Sequence, residues 1–309
     1  MLRTLEPAVE TVSMAPGVHQ HLRRSLQTVW RAYRKSFKRC RKDFSEASVH
    51  ELRVCTRRLL AMLNLLQPLV GAKTIEPPCC RLKTLMRRFA SLRDTHVQLL
   101  YVEDKRRTFT GTEELRCALR RRERRLTHKL DAHMCRARLG PLKKEMAAVR
   151  KEVRCGLVAG RSEPQHWKAL LGALEKAFAD VANLRRHCRT GNVAAIHKMR
   201  VAFKRFRYAL ELLKPVLPGV TKRQIDRMHL FQTRMGEIQD AEVLLKTLDE
   251  FGKKPKAAKA MQSFRHEVEH RRAALVRVFL AHVDQLDGFW PLHHAARRHA
   301  VKSLHHHTR

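Results

Sequence analysis

Acidic residues are scarce in this chain. Its 309 residues hold 29 Asp and Glu against 65 Lys and Arg, a formal net charge of +36. A chain so one-sided repels itself, so the first partner it implies is a polyanion: nucleic acid, polyphosphate or an anionic membrane surface. Aromatics are scarce as well, at 6% of residues, which leaves little from which to build a base-stacking platform. No apolar run approaches the length of a membrane span. The start, MLRTLEPAVETVSMAPG, has no continuous apolar stretch for a signal peptide. A cytoplasmic protein with no membrane span is the expectation. The eight Cys, at 40, 55, 79, 80, 117, 135, 155 and 188, include no Cys-x-x-Cys pair. They read as free thiols in a reducing compartment rather than as a disulfide framework. There is no glycine-rich P-loop and no G-x-S-x-G elbow. No paired carboxylates stand ready to hold a metal for phosphoanhydride cleavage. The expectation is therefore a binder and not an enzyme, with no catalytic residue, cofactor or metal.

What the chain does have is helical periodicity, with Gly and Pro confined mainly to its boundaries. The pattern predicts helices over about 18–43, 47–67, 79–105, 113–138, 165–190, 193–214, 221–251 and 256–285, with a further piece over 142–154. The stretch GLVAGRSEP, from Gly156 to Pro164, reads as a linker. Residues 17–155 then form a first half and 165–287 a second, with tails at 1–16 and 288–309.

The clearest single stretch is IHKMRVAFKRFRYALELL, Ile196 to Leu213. With about 100° per residue, Arg200, Lys204, Arg207 and Tyr208 fall near His197, with Arg205 at the edge of the arc. Met199, Phe203, Phe206, Leu210 and Leu213 gather opposite. The cationic row spans about 15 Å at roughly 1.5 Å per residue. One such row is ordinarily a solvated helix face. This one is repeated. VHELRVCTRRLLAMLNLLQPLV, 49–70, matches IHKMRVAFKRFRYALELLKPVL, 196–217. His50 answers His197, Arg53 answers Arg200, Arg57 answers Lys204 and Arg58 answers Arg205. Leu60 stands where the second copy has Arg207. A weaker pair follows, MRRFASLRDTHVQLL (86–100) against QTRMGEIQDAEVLL (232–245), in which Arg88 answers Arg234 and Asp94 answers Asp240. Asp94 and Asp240 read as braces for a basic residue or turn caps rather than as bases. The repeat implies two tandem helical halves of about four helices each, with apolar stripes turned inward and the cationic faces left to share a surface.

The motif H-x-x-R-V-x-x-[RK]-R, present twice, together with R-Y-A-L-E-L-L and G-E-I-Q-D-A, resembles the CHAD family, the conserved histidine α-helical domain. The resemblance runs from about Gly17 to Asp287. It implies an all-α fold of two tandem four-helix bundles related by pseudo-twofold symmetry around a basic central cavity. It implies binding of inorganic polyphosphate and, as in some members, association with polyphosphate granules. Many members carry an N-terminal CYTH domain. No E-x-E-x-K lies near this chain's start, so a standalone member is expected. Carried over by position, the resemblance places His50, Arg53, Arg57 and Arg58 in the site from the first half. From the second it places His197, Arg200, Lys204, Arg205 and Arg207. Arg88 and Arg234 are secondary candidates.

The chemistry suits that ligand. Polyphosphate offers charge and oxygens without bases or sugars, so it asks for dense Arg and Lys donors and for no aromatic stacking. A basic helical protein that binds nucleic acid non-specifically is the alternative, though no helix-turn-helix or zinc-finger signature supports it. His266-Glu267-Val268-Glu269-His270 matches H-E-x-x-H. It lacks a third ligand within reach, and in a chain with 19 His it reads as a solvated helix face rather than a zinc site.

Overall fold

The computed structural model describes residues 17–109, 111–136, 139–156, 163–217, 219–253 and 255–290. Among them the chain is all-α. The helices are α1 (Val18–Asp43), α2 (Glu46–Val70), α3 (Ala72–Arg88), α4 (Ala90–Lys105), α5 (Thr112–Arg136), α6 (Gly140–Gly156), α7 (Glu163–Cys188), α8 (Val193–Leu213), α9 (Lys222–Phe251) and α10 (Pro255–His282). Short 3-10 turns follow α8 and α10. The tail at 1–16, most of the linker and residues 291–309 lie outside the described residues.

The amphipathic stripes do the folding. On α1, Val18, Leu22, Leu26, Val29, Tyr33, Phe37 and Cys40 are all buried at spacings of three and four. Each such apolar side chain taken from water contributes about 1.5–3 kcal/mol. The packing repeats with the sequence. α1 lies on α2 as α7 lies on α8, and α4 lies on α5 as α9 lies on α10. Across the halves, equivalent helices meet: α2 with α8, α4 with α9, and α5 with α10. Helix α6, which packs on α1, α2 and α3, has no counterpart in the second half among the described residues.

The apolar cores cut across the halves. The larger joins α1, α2, α3 and α6 to α7, α8 and the first part of α9. The smaller is made of the far ends of α4, α5, α9 and α10, with Leu99, Leu119, Leu245 and Phe264 among its members. On α4, Leu92 belongs to the first core and Leu99 to the second, and the buried residues between them include Thr95, His96 and Gln98. On α9, Ile238 and Ala241 belong to different cores, with Gln239 and Asp240 between them. A polar seam therefore separates the two cores.

Some boundaries differ from the expected ones. The sequence pattern makes 79–105 a single helix beginning after Pro77-Pro78. Instead α3 starts at Ala72 and runs through both prolines, and the helix breaks at Phe89. The prolines are the sixth and seventh residues of the helix, past the first turn, so each removes one intrahelical bond. Phe89, 1% exposed, stacks on Phe44, and that anchor offsets the interrupted ladder. The second half keeps α9 unbroken over the matching residues. Phe289 and Trp290, placed in the C-terminal tail by the sequence pattern, are buried. The Trp290 indole donates to Glu175 Oε2 at 2.6 Å.

Candidate functional site

The two cationic rails are set at the same register by matching caps. Ser45 Oγ accepts from the Ser48 amide at the start of α2, and Asn192 Oδ1 accepts from the Ala195 amide at the start of α8. Each cap stands five residues before its histidine, so both helices present their rails at one phase. Because α2 meets α8, the rails face each other across the seam.

Arg53, Arg57, Arg200 and Lys204 are half-buried there. They lie close enough that Arg53 is felt by Arg57 and Arg200, and Lys204 by Arg200, Arg57 and Arg53. Asp94 and Asp240 stand among them. Asp94 faces Arg53, and Asp240 faces Arg200, Arg93 and Lys204. The two carboxylates also feel each other. Asp240 stays open to water on one side, yet the protein around it pushes its carboxyl above the ordinary range, as burial does for Asp94.

Burial dominates the cations too. It draws the Lys204 ammonium down to about 6, aided by Arg200. It lowers Arg200, and it lowers Arg53 to about 10, with Arg57 adding to the latter. Guanidiniums so placed remain charged at neutral pH. His50 and His197 flank the set. Both are held below the ordinary histidine value, first by burial, then by Arg93 for His50 and by Arg200 for His197. Two carboxylates against three central guanidiniums leave a surplus of positive charge at neutral pH, to which Lys204 adds once it takes up its proton. Several buried donors also go unanswered. Nε of Arg57 and Nε of Arg200 find no hydrogen-bond partner among the described residues, and Nδ1 of His197, whose ring bonds to Gln239, also has none. A buried N–H without an acceptor costs about 1–3 kcal/mol, and an entering anion would supply the acceptor.

The rails hold their arginines differently. Arg53 Nη1 donates to the Met86 carbonyl at 2.9 Å, near the end of α3. Arg200 lies on α9 over Gly236, where an added Cβ would come within 3.2 Å of its Nη2. Glycine here permits a close approach of guanidinium to helix, and Ala90 fills the equivalent place in α4.

Three groups of expected site residues lie elsewhere. Arg58 and Arg205, one helical step of about 100° beyond Arg57 and Lys204, are exposed. Arg207 is only 2% exposed. Its Nε donates to Gln232 Oε1 at 2.9 Å, and its Nη1 pairs with Glu211 and sits 2.7 Å from His229 Nε2. It is an internal brace between α8 and α9. It shares the helical phase of Arg200, but at that height α9 covers the face, which a helical wheel does not register. Arg88 lines a separate pocket of about 710 Å³ beside Arg81 and Glu145, and Arg234 is half-buried on α9.

The sequence pattern did not single out Arg93, Arg122 or Arg271. Arg93 pairs with Glu46 and acts on both aspartates. Arg122 acts on Asp94 and Arg271 on Asp240. Arg93 carried a local signal in its place beside Asp94, and Arg122 in its place within the dense basic run LRRRERRL, 119–126. Among the described residues, no three His, Cys, Asp or Glu side chains gather to hold a metal, and no helix is long and apolar enough to cross a membrane.

The family model described as the CHAD domain matches residues 24–249. A crystal structure of the CHAD domain from the plant Ricinus communis is similar to this chain at a TM-score of 0.66 and 19% identity, covering 86% of this chain and 92% of that one. PptA from Streptomyces chartreusis is similar at a TM-score of 0.59 and 14% identity, covering 86% of this chain and 99% of that one. No curated protein matches the sequence.

Proposed function

The chain belongs to the CHAD family, and from that premise we propose that it binds inorganic polyphosphate in the seam between its two halves. The observation that carries this reading is the convergence of Arg53, Arg57, Arg200 and Lys204 from both halves, with buried Nε groups left without acceptors. A polyanion laid along the seam brings acceptor oxygens to those donors and offsets the mutual repulsion of the cations. Asp94 and Asp240 hold the guanidiniums in place before it arrives. Lys204, close to half-protonated near pH 6 when free, takes up a proton as phosphate binds.

The same donor set favours binding without turnover. Both central carboxylates already face guanidiniums, which leaves them poorly placed to hold the metal ions that phosphoanhydride cleavage ordinarily uses. The role that follows is that of a polyphosphate-holding protein in the cytoplasm, associated with polyphosphate granules.

The test is a competition on labelled polyphosphate with unlabelled polyphosphate or DNA, at matched phosphate concentration and moderate salt. Polyphosphate should displace the label at far lower concentration. The Arg200→Ala, Lys204→Ala double variant should lose most of its affinity, and a charge-matched pair at Arg121 and Arg125 should lose little. DNA winning the competition, or equal losses in the two double variants, would reduce the site to generic electrostatics. Phosphate release in the presence of Mn²⁺ would overturn the non-enzymatic reading.

A further inference from the structure

A long row of unpaired charge outside the seam lies where the symmetry fails. Helix α6 runs antiparallel to α1 and leaves two hollows between them, of about 320 and about 500 Å³. Arg23 of α1 and Arg150, Lys151 and Arg154 of α6 line the first. Arg31, Arg34, Lys35, Lys38 and Arg41 of α1, with Lys143 of α6, line the second. From Arg23 to Arg41 the groove runs about 27 Å at roughly 1.5 Å per residue. No carboxylate lines either hollow. Arg39, on the same helix, turns away to Glu51, and Glu145 of α6 is taken by Arg81. None of the ten groove cations takes part in an ion pair among the described residues. Elsewhere on the surface some cations are answered, Arg116 by Glu113, Arg120 by Glu123 and Arg272 by Glu242, while Arg121, Arg124 and Arg125 of α5 enter no ion pair among the described residues and line neither hollow.

We propose that this groove is a second polyphosphate site, so that one protein molecule grips two stretches of polymer and cross-links them. The inference rests on the reading that the seam takes the same polymer. The groove's form selects the ligand. A cleft between two packed helices, whose axes lie about 8–10 Å apart, admits a thin chain and not a duplex. Phe37 is the one aromatic in its lining, and it is 4% exposed, so unpaired bases find no stacking platform. Apart from Gln27, the polar side chains lining the two hollows are all cationic, which suits a ligand made only of phosphates. Bivalence changes what the protein does with polymer. A molecule with one site coats chains, whereas one with two sites joins them, and linked sites raise avidity by effective concentration.

The experiment compares the full chain with a groove variant, Arg34→Ser, Lys38→Ser, Lys143→Ser and Arg150→Ser, all at exposed positions. A control variant changes Arg121, Arg124, Arg125 and Lys129 of α5 to Ser, also exposed, and removes the same charge. Circular dichroism melts establish that all are folded. Calorimetry with a short oligophosphate should give two bound per chain for wild type and control, and one for the groove variant. Light scattering with long polyphosphate should fall about tenfold in the groove variant alone, as expected when linkage is lost. Unchanged stoichiometry and scattering in the groove variant overturn the proposal, as does an equal loss in the control. A groove variant that loses only single-stranded DNA binding overturns it in favour of nucleic acid. The seam variant Arg200→Ala, Lys204→Ala separates the two readings. If it keeps wild-type stoichiometry while the groove variant loses a site, the seam assignment falls and the groove stands.

Discussion

The rail on α2 and the rail on α8 carry matching residues and hold them by different means. On α2, Arg53 is tied to the Met86 carbonyl, near the break at Phe89 between α3 and α4. On α8, Arg200 rests on an unbroken α9 at Gly236, its Nε unanswered. The first arginine has part of its donor capacity satisfied before ligand arrives, and the second has more to gain. The difference that the sequence displays most openly, Leu60 against Arg207, teaches less. Arg207 is spent on Glu211 and Gln232, and Leu60 packs against the core, so neither half offers a cation there. The asymmetry of the site resides in the helices behind the rails.

That comparison can be broken in four places. The largest effect is on stability. Arg207→Leu copies the first half's residue but leaves Glu211 without its guanidinium, and should cost about 3 kcal/mol in chemical denaturation. Polyphosphate affinity of the folded fraction should stay within about twofold, because the side chain does not reach the ligand. A collapse of affinity with unchanged stability would return Arg207 to the site.

Next comes binding. Arg200→Ala should weaken polyphosphate by about 2–3 kcal/mol, as truncating one partner of a buried charged contact does. Arg53→Ala should lose about 1 kcal/mol less, since one of its donors is already given to the Met86 carbonyl and not to the ligand. Titration calorimetry at one salt concentration decides it, and equal losses would erase the distinction between the rails.

Lys204 separates binding from folding. Its folded value, about 6, lies below the ordinary 10.5. The unfolded chain therefore binds this proton first, and the residue costs stability increasingly as pH falls from 10.5 toward 6. Lys204→Met should raise the melting temperature at pH 7.5 by a few degrees and weaken polyphosphate. Bound phosphate restores the proton, so wild-type affinity should climb as pH drops toward about 6 and then level. The variant should lose most of that slope, and a slope left intact would assign the proton uptake to His50 and His197.

The smallest effect is at Gly236→Ala. The new methyl displaces the Arg200 guanidinium by tenths of an ångström and should weaken binding about threefold. Helix propensity contributes up to about 1 kcal/mol of stability in return. Ala90→Gly in the first half should leave affinity unchanged.

Much of this was legible in the sequence, for identifiable reasons. The all-α fold follows from stripes such as that of α1. The seam's four central cations follow from the duplicated motif, because two copies of one phase must be presented alike. Asp94 and Asp240 stood out as braces, and they face the cations. What stayed hidden depends on packing. The burial of Arg207 needs α9 above it. Arg122 and Arg271 reach the aspartates from α5 and α10, far along the chain. The groove cations of RAYRKSFKRCRK look like any basic helix face until α6 lies beside them.

The caps at Ser45 and Asn192 set a stricter limit than composition does. Between each cap and its histidine, the chain length is a timing mark for the whole rail. One residue added there would leave the helix intact and every cation present. It would also swing the rail by about 100°, out of the seam. The loops before the caps can lengthen without consequence for the site. The few residues after them have no such freedom, and the two halves keep their rails facing only while both counts agree.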